Sequence, residues 1–115
     1  MMAENDCIFC KIAQGALEAD VVHEDEQVMA FHDINGRAPV HVLIIPKRHV
    51  ASLAEIGKLS DKEAKRLFEV SEEVAGELGI AESGYAVRIN NGPDAGQEVF
   101  HLHLHVLGGE RIGMP

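Results

Sequence analysis

Apolar residues recur at helical spacing in two stretches of the chain and run together or alternate between them, and the changes of period mark out the elements. Residues 5–14, NDCIFCKIAQ, predict a short helix with Asn5 or Asp6 as its N-cap and Gly15 at its end. Val21 to His23 and Gln27 to His32 are short Val-centred runs parted by Glu24-Asp25-Glu26, the pattern of a hairpin. His41 to Ile45 is a β-branched apolar run stopped by Pro46 and reads as a buried strand. The clearest helix spans 61–78. Ser60 and Glu63 form a capping box, Ala64, Leu67, Phe68, Val74, Ala75 and Leu78 fall at helical spacing, and Gly79 stands where a left-handed residue ends a helix. Tyr85 to Asn90 and Val99 to Leu107 predict two further strands, joined by the turn-rich Asn91-Gly92-Pro93-Asp94-Ala95-Gly96. Helix, three strands, helix, two strands is the order of an α+β fold with a mainly antiparallel sheet of about five strands. Strands do not alternate with ten-residue helices, which argues against a parallel doubly wound sheet.

Composition narrows the function classes. A chain of 115 residues is sized for a single domain over 1–115, and with 4% aromatics and no Trp its core rests on Val, Ile, Leu and Ala. No stretch approaches the roughly 20 apolar residues of a membrane helix. The formal charge of −9, with no basic stripe, argues against nucleic acid as a partner. Met1 to Asp6 has neither the basic nor the apolar region of a signal peptide, so the cytoplasm is the expected compartment. Thiols stay reduced there, and Cys7-x-x-Cys10 reads as a metal or redox pair before a structural disulfide. The unusual feature is seven His in so short a chain.

Three of them stand in His101-Leu102-His103-Leu104-His105-Val106, which alternates strictly. On a strand, residues i and i+2 share a face about 6.6–6.8 Å apart, so three imidazoles line one side while Leu102, Leu104 and Val106 pack behind. Imidazole is a nucleophile and a metal ligand, and two chemistries are open to such a row. One is a catalytic zinc held by three His with an open position. The other is attack by one His on an electrophile such as phosphorus. The preceding segment, with Asn90, Asn91, Gly92 and Gly96, is of a kind that turns backbone N–H groups toward a phosphate.

His101 to Gly109, HLHLHVLGG, resembles the signature of the histidine triad (HIT) superfamily of nucleotide-binding proteins. The likeness extends to CIFCKI, to AFHDINGRAPVHVLIIPKRH and to RINNGPDAGQEVFHLHLHVLGG, in order and over essentially the whole chain. The Gly-Gly ending and GQEV resemble the nucleoside phosphoramidase branch. The resemblance implies that His103 is the nucleophile on the α-phosphorus of a nucleotide, that His105 hydrogen-bonds phosphate oxygens or the bridging atom, and that His41 supports both. It implies that Asp33 holds the ribose hydroxyls, that Phe31 and Ile34 line the base pocket, and that Asn90, Gly96, Gln97 and Val99 contact phosphate. Glu98 stands where some relatives carry Ser, either as a solvated charge or as an acid toward the leaving group. Relatives with CxxC near the N-terminus commonly hold zinc, which implies a structural site of Cys7, Cys10, His49 and His101 and no cofactor for catalysis. His23 and His32 match no motif, and His32 is expected on the face opposite Asp33.

The expected function is hydrolysis of nucleoside 5′-phosphoramidates at the P–N bond through a nucleotidyl-histidine, with purine nucleotides of the AMP or GMP type bound by a homodimer. A nucleotide-binding sensor or interaction module with little turnover is the alternative from another class. Dinucleoside polyphosphate hydrolysis is the alternative within the family.

Overall fold

In a computed structural model, which describes residues 6–113, two helices flank a sheet: α1 (Ile8–Ala13), β1 (Val21–Glu24), β2 (Val28–His32), β3 (Val40–Pro46), α2 (Asp61–Glu77), β4 (Tyr85–Arg88) and β5 (Leu104–Gly108). The five strands lie in the order β1-β2-β3-β5-β4, antiparallel at every pairing, which is the predicted α+β class.

Strand periodicity divides the apolar residues between two faces. Val28 and Ala30 of β2, Val42 and Ile44 of β3, and Leu104 and Val106 of β5 share a buried cluster with Leu67, Val70 and Val74 of α2. Met29, Phe31, Leu43 and Ile45, the alternate positions, share a second cluster with Cys7, Phe9, Cys10 and Ile12 at α1. Burying each larger aliphatic side chain contributes about 1.5–3 kcal/mol, so the sheet is fixed from both sides. Its second face is where the site lies.

Local rules explain the boundaries. The capping box at Ser60 and Glu63 is present, and Gly79 follows α2 with φ +76°. In the β1–β2 turn, Asp25 Oδ1 accepts the N–H groups of Gln27 (2.8 Å) and Val28 (3.0 Å). The expected start of the first helix is corrected: Cys7 is the N-cap, its thiol accepting from Cys10 N–H at 3.4 Å, and Asn5 lies outside the described residues. Phe68 is 56% exposed. The buried stripe runs through Leu67, Val70, Ser71, Val74 and Ala75, and Phe68 stands one step round the helix from it. The last two strands are shorter than expected, because residues 89–103 leave the sheet through a 3-10 turn at Pro93–Ala95 and a bend. Leu102 N–H donates to the Val50 carbonyl (2.7 Å) in place of a sheet partner.

The Gly108-Gly109 pair answers to packing. A Cβ on Gly108 would stand 2.7 Å from Ile80 Cδ1. Gly109, at φ +88°, would place one 2.8 Å from Pro39 Cβ.

Candidate active site

On the α1 side of the sheet lies a cavity of about 880 Å³. Of the residues singled out in the sequence, Phe31, Asp33, Ile34, His41, Asn90, Gly96, Glu98, Val99, His103 and His105 line it. Phe31 reaches it from β2, His41 from β3 and His105 from β5, while Asp33 and Ile34 follow β2 and His103 precedes β5. Ile34 is 94% exposed, a large apolar side chain at the open rim.

The histidines do not form one row. His103 and His105 meet edge to face with ring centroids 4.9 Å apart, but the bend before β5 turns the wholly buried His101 away toward the cysteines. The ligand atoms of His101, His103 and His105 therefore do not converge, and a three-His metal site is not assembled among the described residues.

Backbone partners assign the protons. A carbonyl only accepts, so the 2.8 Å contact of His103 Nδ1 with the His101 carbonyl makes Nδ1 the donor and leaves the lone pair on Nε2. The Arg37 N–H only donates, and it donates to His41 Nδ1 (3.0 Å), so His41 carries its proton on Nε2. That N–H donates to His105 Nδ1 (2.9 Å), which leaves the His105 proton on Nε2. Asp33 Oδ2 stands 3.5 Å from His41 Nε2. Asp33, His41 and His105 bring possible ligand atoms together, yet the proton on His41 Nε2 occupies the position a metal would need. The hydrogen-bond relay runs from the Arg37 N–H through His41 to His105, with the Asp33 carboxylate beside it.

The imidazoles are kept neutral. Burial pushes His105 down to about 4, with His103 and His41 adding to the effect. Burial likewise lowers His103, against the opposing pull of its bond to the His101 carbonyl and of the Asp33 charge. His41 is lowered by burial, with Asp33 opposing and Arg37 and Arg88 reinforcing.

The loop before the triad is braced from within. Gly92 N–H donates to Gln97 Oε1 (2.8 Å), and Gln97 Nε2 donates to the carbonyls of Ala51 (2.7 Å) and Val99 (3.0 Å). Gln97 is buried and does not line the cavity. Asn90 Nδ2 donates to the Ala95 carbonyl. The N–H groups of Ala95, Gly96 and Gln97 bond to Gly92 and Pro93 carbonyls, so they too are spent on the loop's own shape. Gly96 has φ +81° with nothing near its Cβ position, so the need for glycine there is conformational.

Behind the cavity, Cys7 and Cys10 meet His49 and His101, whose ligand atoms all lie within 4.8 Å of one another. His101 Nδ1 stands 3.4 Å from Cys7 Sγ, 3.5 Å from Cys10 Sγ and 3.2 Å from His49 Nδ1. Cys10 Sγ is 3.2 Å from His49 Nδ1. Tetrahedral zinc with ordinary bond lengths places sulfur and nitrogen about 3.5 Å apart and two nitrogens about 3.3 Å apart. His101 Nε2 donates to the Pro46 carbonyl (2.7 Å), which turns its lone pair on Nδ1 toward the cluster. The donor set fits such an ion.

Among the cavity residues that escaped the sequence reading are Arg37, Arg88, and Ile8 and Phe9 of α1. Phe9 sits edge-on to both His103 (5.1 Å) and Phe31 (5.6 Å). Its place between Cys7 and Cys10 was the available clue. Arg88 has no periodic or motif signal, because its place depends on its register opposite His105. His32 also lines the cavity, contrary to expectation. His23 instead joins a surface network, 2.8 Å from Asp25 Oδ2, which also takes Arg66 at 2.8 Å.

Comparison with known proteins places this geometry in context. The family model described as HIT domain matches residues 14–112, a range that begins after α1. A purine nucleoside phosphoramidase of Escherichia coli is 38% identical over 112 residues, covering 97% of this chain and 93% of the relative. A histidine triad protein from Clostridium difficile superposes with a TM-score of 0.89 at 43% identity, covering 99% of each chain. A HIT family hydrolase from Legionella pneumophila gives 0.83 at 42% identity, covering 95% of this chain and 97% of the other.

Proposed function

The chain belongs to the HIT domain family, and from that membership and the site we propose a hydrolase that splits the P–N bond of purine nucleoside 5′-phosphoramidates to release the nucleoside monophosphate. The observation that carries the reading is the tautomer of His103, whose Nδ1–H is held by the His101 carbonyl so that Nε2 is an uncharged nucleophile.

His103 Nε2 attacks the α-phosphorus and forms a P–N bond. The substrate's own P–N bond breaks, and the amine leaves with a proton taken up from water. Water then attacks phosphorus, the bond to His103 breaks, and the borrowed proton returns to solvent. His105 Nε2–H is the donor for charge building on a phosphate oxygen or the bridging atom, aligned by His41 and ultimately by the Arg37 backbone. Asp33, acceptor-only when ionised, suits the two hydroxyls of a ribose. Phe31, Ile34, Phe9 and Ile8 offer apolar surface to a base. Glu98 and Val99 line the cavity, while Asn90, Gly96 and Gln97 hold the loop that positions them.

Cys7, Cys10, His49 and His101 hold a structural zinc in this reading. Bound there, the ion neutralises two thiolates and ties α1 to the segment leading into the triad, and it takes no part in the bond changes. Zinc held by the thiolates of Cys7 and Cys10 suits a reducing compartment such as the cytoplasm. No helix among the described residues is long and apolar enough to cross a membrane. A homodimer is supported by the edge position of β4 and by exposed Phe68 on α2.

The test is AMP release from adenosine 5′-phosphoramidate. Turnover by the purified chain, lost at least about a thousandfold in His103→Ala and kept after chelation, is the expected result. Bound AMP without turnover would replace this reading with that of a binding module.

A further inference from the structure

The sheet orders the cavity from end to end. β2 and the residues after it supply Phe31 and Asp33, β3 supplies His41, β5 and the residues before it supply His105 and His103, and the edge strand β4 supplies Arg88. With a nucleoside at the Phe31–Asp33 end and phosphorus at His103, the departing group lies toward β4. Arg88 is the register partner of His105 and lines the same cavity, so the two share a face of the sheet.

The Arg88 guanidinium is poorly satisfied. It donates one long hydrogen bond, 3.4 Å, to the Gly113 carbonyl. The arginine ion pairs among the described residues belong to Arg48 and Arg66. A half-buried fork of N–H donors, with no carboxylate partner among the described residues of a chain of net charge −9, is matched to an incoming carboxylate or phosphate. Its charge already reaches the site, adding to the effect of burial on His41 and His105.

We propose that Arg88 is a specificity residue that selects substrates whose leaving group carries an anion: a carboxylate on the departing amine, or a phosphate beyond the bridging atom. The inference rests on the proposed binding mode, with the nucleoside at Asp33 and attack by His103. Glu98 also lines the cavity and sets the competing preference, for a cationic leaving group.

The experiment compares kcat/KM for AMP joined through nitrogen to glycine with that for AMP joined to glycinamide, which differ in the carboxylate. Diadenosine triphosphate serves as the phosphate arm. The native chain, Arg88→Gln and Arg88→Lys are assayed with all three compounds. Because each result is a ratio of two substrates on one protein, losses common to both cancel. The expected result is a preference of about tenfold or more for the glycine compound, falling to near unity in Arg88→Gln and partly kept in Arg88→Lys. A selective loss of diadenosine triphosphate turnover in Arg88→Gln, measured against the glycinamide compound, identifies phosphate as the anion instead. Ratios unchanged between the native chain and Arg88→Gln in both arms overturn the proposal, as does a native preference for glycinamide. Failure of the native chain to turn over any of the three overturns the binding mode and the proposal together.

Discussion

At the scale of single residues, the chemistry follows from which nitrogen carries the proton. Two backbone groups, the His101 carbonyl and the Arg37 N–H, set the tautomers of three imidazoles, and burial keeps all three uncharged at neutral pH. The acid limb of kcat/KM is therefore expected below pH 6.5, with little change from pH 8 down to that point; a limb above pH 7 in the pH–rate profile would contradict it. Stability follows the same groups. Between about 6.5, where an unfolded imidazole titrates, and about 4 for folded His105, the unfolded chain binds a proton that the folded chain refuses. Stability contributed above that window is lost as pH falls through it, and urea midpoints at pH 7 and pH 5 measure the loss. Alternation in HLHLHV made the pairing of His103 with His105 legible. The departure of His101 was not legible, because it depends on the Val50 carbonyl capturing Leu102 and on cysteines more than ninety residues away in the chain.

Among the elements, α1 has two duties. It is six residues long, too short to persist alone, and it presents Cys10 to the cluster and Phe9 to the cavity, with Cys7 as its cap. Chelation or Cys10→Ser is expected to cost at least about 1 kcal/mol, roughly 4 °C in Tm. Turnover per folded molecule should survive, and a thermal melt run beside the AMP assay checks both. Unchanged Tm on chelation of a protein shown to contain the ion would contradict the structural role. The sequence revealed α2 nearly to the residue, since a capping box and a terminal glycine are local signals. It overran β4 and β5, because residues 89–90 and 99–103 are as apolar as strands but leave the sheet to build the loop and the cluster.

For the whole molecule, strand order and surface matter most. β4 ends the sheet with an open edge, and exposed apolar side chains include Phe68 on α2 and Val87 on β4. A pair of chains would cover them, so sedimentation should show a dimer and Phe68→Glu should shift it toward monomer. A native chain that sediments as a monomer at micromolar concentration would contradict this. The α+β class was legible from the order of periods along the chain. Arg88 was hidden because a cross-strand neighbour is a property of the assembled sheet, and no local spacing encodes it.

A nucleotidyl-histidine on His103 is a covalent species that mass spectrometry can weigh and map. Protein mixed with adenosine 5′-phosphoramidate and quenched in alkali, where a phosphorus–imidazole bond survives, should carry one adenylyl group mapped to the His103 peptide. His103→Ala should carry none. Continued turnover by the native chain with no adduct on any histidine, or with the adduct on His105, would contradict the account.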